Sequence, residues 1–186
     1  MAEPSLHELK HAEPDVEIIW KAFELRPEPV PTLDPQGAYL KRVWRTSVYP
    51  LAEKLGVAMK LPPVQPRSRL AHEAAKWAAT LGRFDDYNAA VFRAFFERGE
   101  DIGGRDVLAR LAADLRLDAE ALRRALDVRE FEAGVLADER EARELGVNGV
   151  PAFVASLATG RRAALSGVQS LAALRSLVAH VKAAQP

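Results

Sequence analysis

The sequence predicts a mixed α/β fold in which an early strand and a late hairpin and helix flank a long helical block. Three observations carry this reading. Residues 16–25 (Val-Glu-Ile-Ile-Trp-Lys-Ala-Phe-Glu-Leu) are rich in β-branched and aromatic side chains, and they run into Arg26-Pro27-Glu28-Pro29-Val30-Pro31, where prolines cannot continue a ladder. Between residues 34 and 145 apolar side chains recur at helical spacing, interrupted by Gly and Pro. From Gly146, the run Gly-Val-Asn-Gly-Val-Pro leads straight into the apolar Ala152-Phe153-Val154.

Residues 1–13 are polar and helical in character. Tyr39, Val43, Val48, Leu51 and Leu55 can form the inner face of a helix over residues 34–55, which Pro50 is expected to kink or break. After the connector marked by Pro62, Pro63 and Pro66, the spacing of Leu70, Ala74, Trp77, Ala78 and Leu81 predicts a helix over 67–81, stopped by Gly82. A helix over 84–97 has Val91, Phe92, Phe95 and Phe96 as core anchors and ends at Gly99. Helices follow over 106–115 and over 119–126, the latter with Asp118 as N-cap. The helix over 131–145 places Glu139, Arg140, Glu141, Arg143 and Glu144 mostly on a solvated side. A strand over 150–157, a turn at Ala158-Thr159-Gly160-Arg161, a partner strand over 162–165 and a helix over 170–182 complete the chain.

A chain of 186 residues can bury roughly 70% of its unfolded surface. It carries 26 basic and 26 acidic residues, and no basic stripe interleaves with aromatics, so no nucleic-acid partner is expected. No apolar run is long enough to span a bilayer and no secretory signal opens the chain, so a cytoplasmic location with no membrane partner is expected. There is no cysteine.

Taken in order, the run 16–27, the segment Ala71-His72-Glu73-Ala74-Ala75-Lys76-Trp77-Ala78, residues 91–103, the loop 146–154 and Ser166-Gly167-Val168-Gln169 resemble the DsbA-like thioredoxin family. The branch they resemble most contains the FrnE-type disulfide oxidoreductases and the 2-hydroxychromene-2-carboxylate isomerases. The resemblance implies a thioredoxin-like sheet with a large all-helical insertion and with the opening strand missing. It divides the chain into a thioredoxin-like domain at 1–33 and 146–186 and a helical insertion domain at 34–145. It implies protein disulfide oxidoreductase function by thiol–disulfide exchange, with two alternatives: a redox-inactive binding module, or a relative of the glutathione-dependent isomerases.

The family's Cys-x-x-Cys falls upstream of Met1, so the resemblance assigns no catalytic residue here. It carries over Val150 and Pro151 as substrate-binding residues, with a cis bond between them and the Val150 backbone facing a groove closed by the insertion. A peptide or a small thiol is the implied partner in that groove. No cofactor is expected, with glutathione entering only on the isomerase reading. The sheet neighbours of the family's opening strand are expected either to close on each other or, in preference, to pair with a second copy in a homodimer.

Other candidates each have a plain alternative. His7 and His11 stand four apart on a helix, but no third ligand accompanies them and no metal is expected. Ser5 near a helix start is the position of an N-cap as well as of a nucleophile. Ser68, His72 and Asp85 supply triad chemistry without a Gly-x-Ser-x-Gly elbow. Trp20, Trp44 and Trp77 suit a core as well as a stacked ligand. Arg67 and Arg69, before a helix, suit solvent or an anion.

Overall fold

A computed structural model describes residues 1–183. The fold is mixed and helix-dominated, with one two-stranded sheet among the described residues. Two compact units divide the chain: Met1–Lys21 together with Glu141–Pro186, and Ala22–Arg140.

The first unit holds helix α1 (Glu3–Ala12), strands β1 (Ala152–Ser156) and β2 (Arg162–Ser166) and helix α9 (Leu171–Lys182). The strands pair antiparallel with Phe153 opposite Leu165 and Ala155 opposite Ala163. Strand periodicity puts those four on one, half-buried face, and leaves Val154 and Ala164 exposed on the other. Gly160 turns the hairpin at a φ of +88°, a conformation that costs glycine little because it has no Cβ. Helix α9 packs against both strands and against α1. Its Leu174, Leu177, Val178 and Val181, with Leu9 of α1, are the buried apolar side chains of this unit among the described residues. Ser170 caps α9 by accepting the Ala173 N–H, which satisfies one of the donors every helix start leaves open. Arg175 pairs with Glu13 at 3.0 Å and Lys182 with Asp15 at 2.6 Å, fastening the chain after α1 to α9.

The second unit is helical. Helices α2 (Ala38–Val43) and α3 (Tyr49–Lys54) are joined without a break by a π-helical turn over Trp44–Val48. The proline neither ends nor splits the helical path: the wider turn comes just before Pro50, which lacks the N–H that an α-helical bond there would need. Helices α4 (Arg69–Thr80), α5 (Phe84–Phe96), α6 (Arg105–Asp114) and α7 (Ala119–Asp127) then follow, each within three residues of its predicted bounds. Their core gathers Ala74, Trp77, Tyr87, Val91, Leu108, Leu111, Leu122 and Leu126. Asp118 caps α7 as the sequence predicts, accepting the Ala121 N–H at 2.9 Å. Helix α8 (Glu132–Glu144) runs across the boundary at Arg140.

Two expectations about packing are corrected. The phenylalanines of α5 are only half-buried, and the fully buried aromatic is Tyr87, whose hydroxyl donates to the Leu108 carbonyl at 2.9 Å. Phe92, Phe95 and Phe96 instead form a side cluster, with Phe95 and Phe96 edge-on at 4.8 Å and Trp44 at 6.4 Å from Phe96. The second correction concerns residues 16–25, which form no strand. Burial there alternates as it does in a strand, with Ile18, Trp20, Ala22 and Glu24 turned in and Ile19, Lys21 and Leu25 exposed. What the segment lacks is a ladder: the Ala22 N–H, for example, donates to the Asp138 carboxylate at 2.9 Å instead of to a neighbouring strand. Propensity and pattern make the segment strand-like, but only a second backbone makes a strand.

Candidate functional site

The sequence places its candidate site at the loop between α8 and β1. Gly146 ends α8 at a φ of +72°, and the last carbonyls of the helix are taken up by the Gly146 N–H, donating to Arg143 at 3.0 Å, and the Val147 N–H, donating to Ala142 at 2.8 Å. The Val150–Pro151 bond is cis. Pro151 is anchored at the hairpin, its carbonyl accepting the Gly167 N–H at 2.8 Å, and Gln169 Nε2 braces the far side of the hairpin by donating to the Ser166 carbonyl at 2.8 Å. Val150 is different: the residue is 49% exposed, and among the described residues its peptide groups take no part in the main-chain bonds that close the loop. Among the described residues β1 pairs with β2 alone, so its second edge carries donors and acceptors without a strand partner. The loop is thus anchored at Pro151 and open at Val150, and it continues into a strand edge that has no strand partner among the described residues.

The family model for the DSBA-like thioredoxin domain matches residues 1–179. The chain belongs to that family. It is 38% identical over 144 residues to the uncharacterized protein YwbO of Bacillus subtilis (strain 168), a match covering 75% of this DsbA-like chain and 72% of YwbO. Its fold is shared with a probable DsbA oxidoreductase from Streptomyces coelicolor, at a TM-score of 0.77 and 23% identity over 100% of this chain and 85% of that one. It is also shared with a putative protein disulfide isomerase from Nitrosomonas europaea, at a TM-score of 0.74 and 19% identity over 98% of this chain and 90% of that one.

Inside the second unit of the DsbA-like chain lies a group of charges that the sequence reading missed. Helix α4 turns Arg69, His72, Glu73 and Lys76 to one side, at the i, i+3, i+4 and i+7 positions of a single helical stripe. Helix α8 contributes Glu132, Asp138 and Glu139, and Arg129 stands just before it. Arg69 bonds Glu24 through Nε, Glu132 through Nη1 at 3.2 Å and approaches Glu139 through Nη2 at 3.9 Å. Lys76 holds Asp138 at 2.7 Å, and Arg129 lies 3.3 Å from Glu73 while also bonding Glu132. Glu139, expected on a solvated side, is 3% exposed: burial of α8 is decided by the cations facing it from α4, which its own sequence does not show.

The three residues Ala22, Phe23 and Glu24 are therefore gripped by side chains. Asp138 accepts the Ala22 N–H, the His72 imidazole lies against the Phe23 backbone, and Arg69 bonds the Glu24 carboxyl with Glu139 close by. Burial pushes the Glu24 carboxyl above the usual range, and the Glu139 carboxyl adds to that push while Arg69 opposes it. Burial likewise raises Glu73, against Arg129, and lowers His72, which keeps the imidazole neutral. For Arg69, burial works against the charge, but the bond and charge of Glu24 outweigh it and the guanidinium is held above its ordinary value.

The other sequence candidates separate. Ser5 is buried in the third position of α1 and makes no cap bond. His7 and His11 are exposed on α1, and among the described residues no cluster of three or more His, Asp or Glu side chains could hold a metal. Ser68 occupies the N-cap position of α4 without capping it, His72 lies within α4, and Asp85 is exposed on α5, so no triad forms. Trp44 and Trp77 are each 7% exposed and belong to packed interiors. Arg67 and Arg69 are engaged within the chain: Arg67 donates to the Arg26 and Val30 carbonyls, each at 2.6 Å, bracing the proline-rich turn, and Arg69 pairs with carboxylates. No helix among the described residues is long and apolar enough to cross a membrane.

Proposed function

We propose that this chain carries the scaffold of a FrnE-like disulfide oxidoreductase and uses its Val150–Pro151 loop to bind an extended peptide or a small thiol. The observation that carries the reading is the contrast at the loop, where Pro151 is anchored to the hairpin and Val150 is left open beside the free edge of β1. A substrate strand laid antiparallel there gains main-chain hydrogen bonds, each a modest contribution of about 1 kcal/mol. The bonds are independent of side-chain identity, so the binding is broad in sequence and weak per residue.

Thiol–disulfide exchange starts from a thiolate, and these 186 residues contain no cysteine to supply one. Binding without exchange is therefore the activity assigned to these residues, as a redox-inactive module. The paired test is insulin reduction by dithiothreitol, followed by turbidity, and anisotropy of a labelled unstructured peptide. The expected result is peptide binding with no turnover above the uncatalysed rate. Turnover at an ordinary oxidoreductase rate, or no detectable peptide binding, contradicts the reading.

A further inference from the structure

Helices α4 and α7 pack on each other within the second unit, and their contact is incomplete at one end. A groove of about 510 Å³ opens there, with Trp77 of α4 and Phe131 of the chain after α7 as its aromatic base. The opening has a local cause. Helix α7 turns Ala121 and Ala125 to the groove, one helical turn apart, and a methyl group is too short to fill the space beside an indole. Val128, 74% exposed, forms an apolar lip. A groove of this size, mostly apolar with a few polar groups, falls in the range of small-molecule sites, roughly 300 to 1,000 Å³.

Two of the polar groups are charged, opposite in sign and spare. Arg124 lies on the same face of α7 as Ala121 and Ala125, and its ion-pair contact among the described residues is with Asp118 at 4.0 Å. Those two side chains are 71% and 65% exposed, a solvated pair that holds the guanidinium weakly. Glu130 is brought back to the groove by the turn that ends α7. Arg129 takes a φ of +54°, and the Glu130 N–H donates to the Ala125 carbonyl at 3.0 Å. The Arg129 side chain is drawn to Glu73 and Glu132, and Glu130 makes no ion pair among the described residues. Thr80, the remaining polar neighbour, spends its hydroxyl proton on the Trp77 carbonyl at 2.7 Å. A cation and an anion beside one aromatic base are complementary to a molecule that carries both charges next to a single apolar group.

We propose that this groove binds a free α-amino acid with a large apolar side chain, which rests on Trp77 and Phe131 while its carboxylate meets Arg124 and its ammonium meets Glu130. The end of a peptide offers one of those main-chain charges and an internal apolar segment offers neither, so only the free amino acid answers both groups. The groove shares no residue with the 146–154 loop, so binding here and peptide binding there succeed or fail independently.

The probe is L-phenylalanine, titrated at pH 7 into the ¹⁵N-labelled chain. The expected result is saturable shifts of the Trp77 indole N–H and of the Ala125 and Val128 amides, with a dissociation constant of about 1 mM and no shift along β1. Three analogues each lack one group: 3-phenylpropionate the ammonium, 2-phenylethylamine the carboxylate and L-alanine the ring. Each should bind about tenfold more weakly than L-phenylalanine. Arg124→Gln should weaken L-phenylalanine about tenfold and leave 2-phenylethylamine unchanged, whereas Glu130→Gln should weaken L-phenylalanine equally and leave 3-phenylpropionate unchanged. Both positions are exposed, so the two variants keep the fold. Absence of saturable shifts at about ten times the expected constant, a one-charge analogue that binds as tightly as L-phenylalanine, or unaltered L-phenylalanine binding in either variant overturns the assignment.

Discussion

Two segments of this chain have the composition of strands, and only one becomes a strand. Residues 150–157 meet a complementary run a tight turn away, and β1 and β2 pair across five residues in register. Residues 16–25 have the same apolar alternation, and inside the second unit Ala22 and Glu24 are held by Asp138 and Arg69. The comparison teaches that a backbone can be satisfied either by another backbone or by side chains. The second solution concentrates its free energy in a few charged groups, while the ladder spreads it over many neutral bonds. A gripped segment should therefore fail at single residues and respond to pH, and a laddered one should do neither.

The largest effect is expected at Arg69. Arg69→Met keeps the apolar stem but leaves Glu24 and Glu139 buried without their cation, and breaking such a pair costs about 3 kcal/mol. Urea unfolding at pH 7 measures it; a loss of stability no larger than that of a surface substitution contradicts the grip. Asp138→Ala removes both the acceptor of the Ala22 N–H and the partner of Lys76, at a cost of about 2 kcal/mol by the same measurement.

Changes on the laddered side should be smaller and local. Gly160→Ala meets no atom within 4 Å of the added Cβ, so only its φ of +88° resists, at about 1 kcal/mol. Hydrogen exchange should show faster opening in residues 152–166 and no change in α4 to α7. The smallest change has the opposite sign. Burial raises the Glu73 carboxyl, so the folded state holds a proton that the unfolded chain releases above the ordinary carboxyl range, and stability falls as pH rises through that window. Glu73→Gln should leave stability unchanged near pH 4 and raise it at pH 8 by about 1 kcal/mol or less, flattening the pH profile measured by thermal unfolding.

Legibility in the sequence follows the range of the interactions. Helix limits are readable because their causes are local: Gly82, Gly99 and Gly146 all adopt positive φ at helix ends, and Asp118 caps through its own side chain. The hairpin is readable for the same reason, its partners lying within one turn of each other. The π-helical turn is not, since Pro50 predicts a disturbance without saying whether the chain breaks or widens. The charge group is invisible. Arg69, His72, Glu73 and Lys76 share a stripe that reads as solvated, and its burial depends on Glu24, 45 residues before Arg69, and on Glu132, 63 residues after it. Pro151 and Val150 are picked out by the Gly-Val-Asn-Gly-Val-Pro run, yet what separates them, an anchored carbonyl at one and exposure at the other, needs coordinates.

The most direct test of the binding role is a titration of the ¹⁵N-labelled chain with an unstructured cysteine-containing peptide, followed by amide shifts. The expected result is saturable shifts at Val150 and along β1, with the amides of α5 and α6 unmoved. Shifts confined to α5 and α6, or none at Val150 at saturating peptide, would contradict the assignment of the loop as a receiver of extended chain.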